Sequence, residues 1–141
     1  CSAPAGVTDL LLETAEQAKA GDGTRALAAV EKLREKYRTI IKGVVKDAAE
    51  RAEINALVDG SLAELEAIAQ GLTVLHELTP RTSDLVVSRG ERLGARVFAA
   101  TLRAAGVKTE FIEATEVIVT RGPFGGAAPD LTRTDERVRK I

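Results

Sequence analysis

The sequence predicts an α/β fold, a mostly helical piece with long antiparallel helices and about two short strands. Three observations carry this. Apolar residues recur at steps of three and four through most of the chain, the period of a buried helix face. Between Thr109 and Thr120 the composition shifts to β-branched residues, which suit strands. Helical segments outnumber strands too heavily for a complete doubly wound sheet, so some strands of the layer are expected to be missing.

Residues 1–7 are small and contain Gly and Pro, so they form a loop. Thr8 is placed to cap the apolar stretch through Leu10, Leu11, Leu12 and Ala15. Gly21-Asp22-Gly23 ends that helix, with Asp22 or Thr24 capping the next. Val30, Leu33, Tyr37, Ile40, Ile41 and Val44 make one face of a long helix. A second set runs from Ile54 to Leu75. There Gly60 and Gly71 each cost about 1 kcal/mol relative to Ala, which predicts a kink or break.

Thr79-Pro80 is a strong helix start, because proline at the first helical position gives up an N–H that has no partner anyway. Val86, Leu93, Val97, Ala100 and Ala104 form the buried stripe of that helix, and Gly106 is placed to stop it. Strands are predicted at Thr109–Ala114 and Val117–Thr120. Residues 121–130 form a loop, and Asp130 or Thr132 begins a polar last helix whose Arg133, Arg137, Arg139 and Lys140 read as a solvated face.

Composition excludes several functions. The 141 residues suit one domain, and 45% hydrophobic with 29% charged residues is ordinary for a globular protein. Aromatics are only 3%, so no row of stacking platforms for bases exists. A net charge of -1 gives no general attraction for nucleic acid or anionic lipid. Apolar runs fall far short of a membrane span. Cys1 is the only cysteine, which rules out an intramolecular disulfide and fits a reducing, cytoplasmic setting. Cys1-Ser2 also matches the start of a mature bacterial lipoprotein. The alternative reading is therefore a helical interaction or scaffold module anchored through Cys1.

Little of the usual catalytic chemistry is present. One His and one Cys make neither a metal cluster nor a nucleophile pair, and His76 reads as a satisfied structural residue. There is no Walker A loop and no G-x-G-x-x-G; Gly122, Gly125 and Gly126 read as a turn. Two stretches stand out. In 2-SAPAGVTDLL-11 a small-residue loop runs into a helix, whose exposed N–H groups suit a carboxylate or phosphate; the Thr8 hydroxyl either caps that helix or bonds a ligand. In 79-TPRTSDLVVSRGERLGAR-96, Glu91 has Val87, Ser88, Gly94 and Ala95 as its helix neighbours, a mostly small patch. Either the patch admits a ligand, or Glu91 is a surface acid and Gly90 and Gly94 let another helix pack.

These two stretches, in this order, resemble the aspartokinases of the amino-acid kinase family. Ser2, Ala3, Gly6, Thr8 and Leu11 match S-A-x-x-G-x-T-x-x-L. Thr79, Pro80, Arg81, Asp84, Ser88, Gly90, Glu91 and Ala95 match T-P-R-x-x-D-x-x-x-S-x-G-E-x-x-S-A. The stretches 115-TEVIVT-120 and 129-PDLTRTDERV-138 look similar as well, and the Ser-Ala-Pro-Ala form resembles that of bifunctional aspartokinase–homoserine dehydrogenases.

The resemblance implies a partial catalytic domain over residues 1–141, from a three-layer α/β/α kinase domain. Residues 1–78 would supply the N-terminal loop and long helices, and 79–141 the substrate-binding helix, short strands and last helix. It implies ATP-dependent phosphorylation of the side-chain carboxylate of L-aspartate, the first step toward lysine, threonine and methionine. By match, Thr8 contacts the substrate, Ser2 and Gly6 shape the loop, and Glu91 binds the α-amino group. Gly94 stands where the family usually has Ser, and Arg89 where it often has an aromatic or His. ATP and Mg²⁺ belong to the parent enzyme and are not expected in this fragment. Its Lys-Phe-Gly-Gly and nucleotide segments are expected upstream and downstream. The fragment alone is therefore expected to be inactive, with the rest of the kinase and the regulatory domains as partners. Unpaired strand edges favour self-association into a homodimer.

Overall fold

The computed structural model describes residues 2–140; Cys1, on which the lipid-anchor reading rests, lies outside them. The element order is α1 (Val7–Lys19), α2 (Gly23–Val44), α3 (Ala48–Leu75), α4 (Pro80–Ala104), α5 (Ala114–Val117), β1 (Thr120–Arg121), β2 (Ala128–Pro129) and α6 (Leu131–Val138). Among the described residues no helix is long and apolar enough to cross a membrane.

Short polar residues set the helix starts. The Asp22, Asp47, Thr79 and Asp130 side chains accept from the backbone N–H groups of Arg25, Glu50, Thr82 and Arg133 respectively. Each satisfies a donor the first turn leaves without a partner. Three C-termini use left-handed residues, the first being Gly21 (φ 86) just after α1. Gly106 (φ 81) follows α4, and His76 (φ 55) caps α3. The His76 ring also contacts the Lys19 carbonyl through Nδ1 at 3.3 Å, tying the end of α3 to the end of α1, so this histidine is structural.

The periodic faces meet in a main core, beside a smaller cluster of Ala18, Ala26, Ala69 and Leu72. Leu33, Tyr37 and Ile41 of α2 pack with Val58, Leu62 and Leu65 of α3, Leu11 of α1, and Val86, Leu93 and Val97 of α4. Ala104, predicted on the same stripe, is exposed one turn beyond the core. Outside the core, α2 and α3 are clamped by charge. The Arg34 guanidinium donates to Asp59 and Glu66, both at 2.6 Å, and to Glu31 at 3.0 Å. Burial alone would lower the Arg34 pKa, but the hydrogen bonds and charges of Asp59 and Glu31 raise it. Arg38 adds a longer contact to Asp59, and the order of these pairs runs the helices antiparallel, as the sequence predicts.

Three expectations need correcting. First, α3 runs unbroken through Gly60 and Gly71. Tertiary packing of its apolar face outweighs the glycine penalty. Second, the strands are not at Thr109–Ala114 and Val117–Thr120. Ala114–Val117 is a helical turn, and the paired residues are Thr120 with Pro129 and Arg121 with Ala128, flanking the glycine loop. Strand propensity needs a neighbouring strand. The 109–113 segment instead lies along α4, where Phe111 packs under the Arg96 guanidinium at 4.2 Å and Glu113 pairs with Arg92 and Arg96. Third, Thr8 is not the cap of α1, as described below.

Gly71 is exposed, and a Cβ there would meet nothing within 4 Å. Gly71→Ala is therefore expected to raise stability by up to about 1 kcal/mol. A higher urea midpoint with unchanged slope would show it; a loss would mean that the helix depends on glycine there.

Candidate functional site

The site begins with a glycine turn. Gly6 precedes α1 in the left-handed region (φ 71, ψ 5) and makes no side-chain cap. Glycine adopts this conformation without a Cβ penalty, so the chain turns from the Pro4 carbonyl directly into α1. The Val7 N–H donates to that carbonyl at 3.0 Å. Thr8 thus falls one residue inside the helix, half-buried, and its hydroxyl has no hydrogen-bond partner among the described residues. The capping role that its spacing suggests is excluded.

The second stretch meets the first along a seam of glycines. On α4, a Cβ added at Gly90 would lie 2.9 Å from the Ala3 Cβ, 3.2 Å from Leu11 Cδ1 and 3.3 Å from Val7 Cγ1. At Gly94 it would lie 3.1 Å from both Pro4 Cδ and the Ser2 carbonyl oxygen. Both glycines are buried by the chain's own N-terminal loop and α1. Of the two readings open for these glycines, close packing is the one observed. It has a consequence for the neighbours, since Gly90 precedes Glu91 and Val7 precedes Thr8. The contact brings together the two stretches that hold the predicted Ser2, Gly6, Thr8 and Glu91. A serine at position 94 would press on the Ser2 carbonyl, so Gly94 and the low-lying loop belong together.

Beneath the seam lies Tyr37, 1% exposed, whose hydroxyl donates to the Gly90 carbonyl at 3.3 Å. Burial, with the Glu91 charge nearby, pushes the Tyr37 pKa up, so the phenol stays a neutral donor. Glu91 itself is half-buried and has no ion pair among the described residues. Lys36 adds a cation at the other end, its Nζ lying 3.6 Å from where a Cβ on Gly6 would sit. The residues flanking the seam therefore include a carboxylate without an ion pair, a hydroxyl without a partner and an ammonium beside a turn. Sequence reasoning missed Lys36 and read Tyr37 only as core. Both lie on α2, far along the chain from either motif, and nothing in their spacing signals the contact.

Arg89, the large cation beside Glu91 in sequence, faces away from this seam. It is 5% exposed and reaches α3, donating to Ser61 Oγ at 3.4 Å and Glu64 at 3.2 Å. Burial pushes the Glu113 carboxyl up, but Arg92 and Arg96 hold it below the usual carboxylate range. The first turns of α4 carry one more tether. Asp84 accepts from the Gly125 N–H at 2.7 Å, and Arg81 stacks on Phe124 at 5.6 Å, holding the glycine loop.

The seam is directly testable. Gly90→Ala gains helix propensity but forces the new methyl into Ala3, and overpacking of this kind costs about 1–3 kcal/mol. The expected outcome is a net loss of stability with shifted amide resonances at Ala3 and Val7. Stabilisation without such shifts would place the loop elsewhere.

No protein-family model matches the chain. Several aspartokinases do. Lysine-sensitive aspartokinase 3 of Escherichia coli is 30% identical over 139 residues, covering 96% of this chain and 28% of that protein. An aspartokinase of Schizosaccharomyces pombe is 46% identical over 55 residues, 39% of this chain and 11% of its own length. Bifunctional aspartokinase/homoserine dehydrogenase 1, chloroplastic, of Arabidopsis thaliana is 26% identical over 140 residues, 99% of this chain and 15% of that protein. The chain thus spans less than a third of the length of each of these relatives.

Proposed function

We propose, for a chain similar over nearly its whole length to part of the aspartokinases, that it forms the aspartate-binding side of an aspartate kinase active site. One observation carries the reading. A half-buried Glu91 without an ion pair sits on the residue next to the seam that also holds Thr8, whose hydroxyl is unengaged. A carboxylate withdrawn from water needs a cationic partner, and the α-ammonium of an amino acid supplies one. In this reading Glu91 takes the ammonium and Thr8 bonds a substrate carboxylate. Ser2 and Gly6 shape the loop.

The parent reaction is ATP-dependent phosphorylation of the aspartate side-chain carboxylate, the entry step to the aspartate-derived amino acids. In this reading Mg²⁺–ATP is held by the rest of the parent enzyme. The part of these residues is to bind and orient the amino acid. Phosphoryl transfer depends on neutralising phosphate charge, so this segment by itself should make no aspartyl phosphate. Partners in the reading are the rest of a three-layer kinase domain and its regulatory domains. Phe98, Val107, Ile112 and Ile118 support this, each about half exposed along α4 and the segment after it, where further α/β structure would cover them.

The test is a titration of the chain with L-aspartate followed by amide chemical shifts. Shifts are expected around Thr8 and Glu91. Succinate, which lacks the ammonium, should bind about tenfold more weakly or worse, and Glu91→Gln should abolish that preference. Equal binding of aspartate and succinate would overturn the role given to Glu91.

A further inference from the structure

A cleft lies on the other face of α4, between it and α3, and the aspartate reading makes no use of it. Its volume is about 280 Å³, and Gly60, Ser61, Glu64, Arg89, Arg92 and Arg96 contribute to its lining. Three guanidinium groups share this side because positions 89, 92 and 96 are spaced by three and four along one helix. The carboxylates nearby are Glu64 and Glu113, so the cleft carries a net positive charge.

Arg89 is unusual within this group. Its side chain is 5% exposed, yet its Nε–H has no acceptor among the described residues. Its Nη1 contacts at 3.2 and 3.4 Å are longer than charge-assisted hydrogen bonds usually are. The Glu64 side chain is 71% exposed, a solvated partner that holds Arg89 weakly. A buried guanidinium with an unmet donor is costly, and it persists most cheaply where a ligand provides the acceptor. Space for one exists beside it, since a Cβ on Gly60 would meet nothing within 4 Å.

We propose that this cleft binds a small oxyanion, a phosphate or a carboxylate, on Arg89. The planar guanidinium presents its donors as a fork that two oxygens of such an anion match. The Ser61 hydroxyl adds a further donor, and Arg92 and Arg96 hold the positive potential at the mouth. The volume is ample for such an anion.

The experiment follows the Arg89 Nε–Hε resonance of the chain during titration with sodium phosphate and, separately, with sodium malonate. Sodium chloride at matched ionic strength is the control. A saturable shift in either arm is expected, and the arm that saturates at lower concentration identifies the source of the oxyanion. Arg92→Gln, a half-exposed position, should weaken binding several-fold. Binding should also raise the thermal midpoint, and Arg89→Met should need about tenfold more anion for the same rise. If Arg89→Met does not fold, Ser61→Ala takes its place and should also weaken the saturable response. A shift that follows chloride at equal ionic strength would overturn the proposal. So would an affinity unchanged in Arg92→Gln and in whichever second variant folds.

Discussion

The approach of the N-terminal loop to α4 is the contact on which the arrangement depends. Two absent side chains make it possible. Where Gly90 and Gly94 leave the helix surface bare, Ala3, Pro4 and the Ser2 carbonyl lie against it at distances a Cβ would violate. The left-handed Gly6 then turns the chain into α1 at the right place. Glycine in a helix interior costs about 1 kcal/mol relative to alanine, and here packing offsets it. The Tyr37 hydrogen bond to the Gly90 carbonyl fixes the same turn from below.

From that seam, α4 organises the rest of the chain. Its first turns hold the glycine loop through Asp84 and Arg81, and its outer face holds the 109–113 segment through Arg92 and Arg96. Near its end, Arg103 donates to Glu50 at 2.9 Å and so reaches the start of α3. These surface pairs are individually weak, each worth about 1 kcal/mol or less. They set direction more than stability. The stability resides in the apolar faces of α1 to α4.

How much of this could be read from sequence follows physical lines. Helix faces were legible because burial imposes a period on Val30, Leu33, Tyr37 and Ile41 that needs no knowledge of the partner. Caps at Asp22, Thr79 and Asp130 were legible because the bond they make is local. Strands were not, since a β-branched run becomes a strand only beside another, and residues 109–113 find Arg92 and Arg96 instead. The two stretches of the candidate site were legible as a motif resemblance that set both around one substrate, but their direct packing on one another was not. Nothing in the spacing of Gly90 and Gly94 says which segment will lie on them. For the same reason nothing in the sequence says that Arg89, two residues before Glu91, turns its side chain to α3.

The seam between the N-terminal loop and α4 is most directly tested by proton–proton distances in solution. A nuclear Overhauser contact between the Ala3 methyl and the Gly90 α-protons, with a second between Pro4 δ-protons and Gly94, is the predicted result. A well-dispersed spectrum in which both contacts are absent, with Ala3 and Pro4 instead close to other elements, would contradict it.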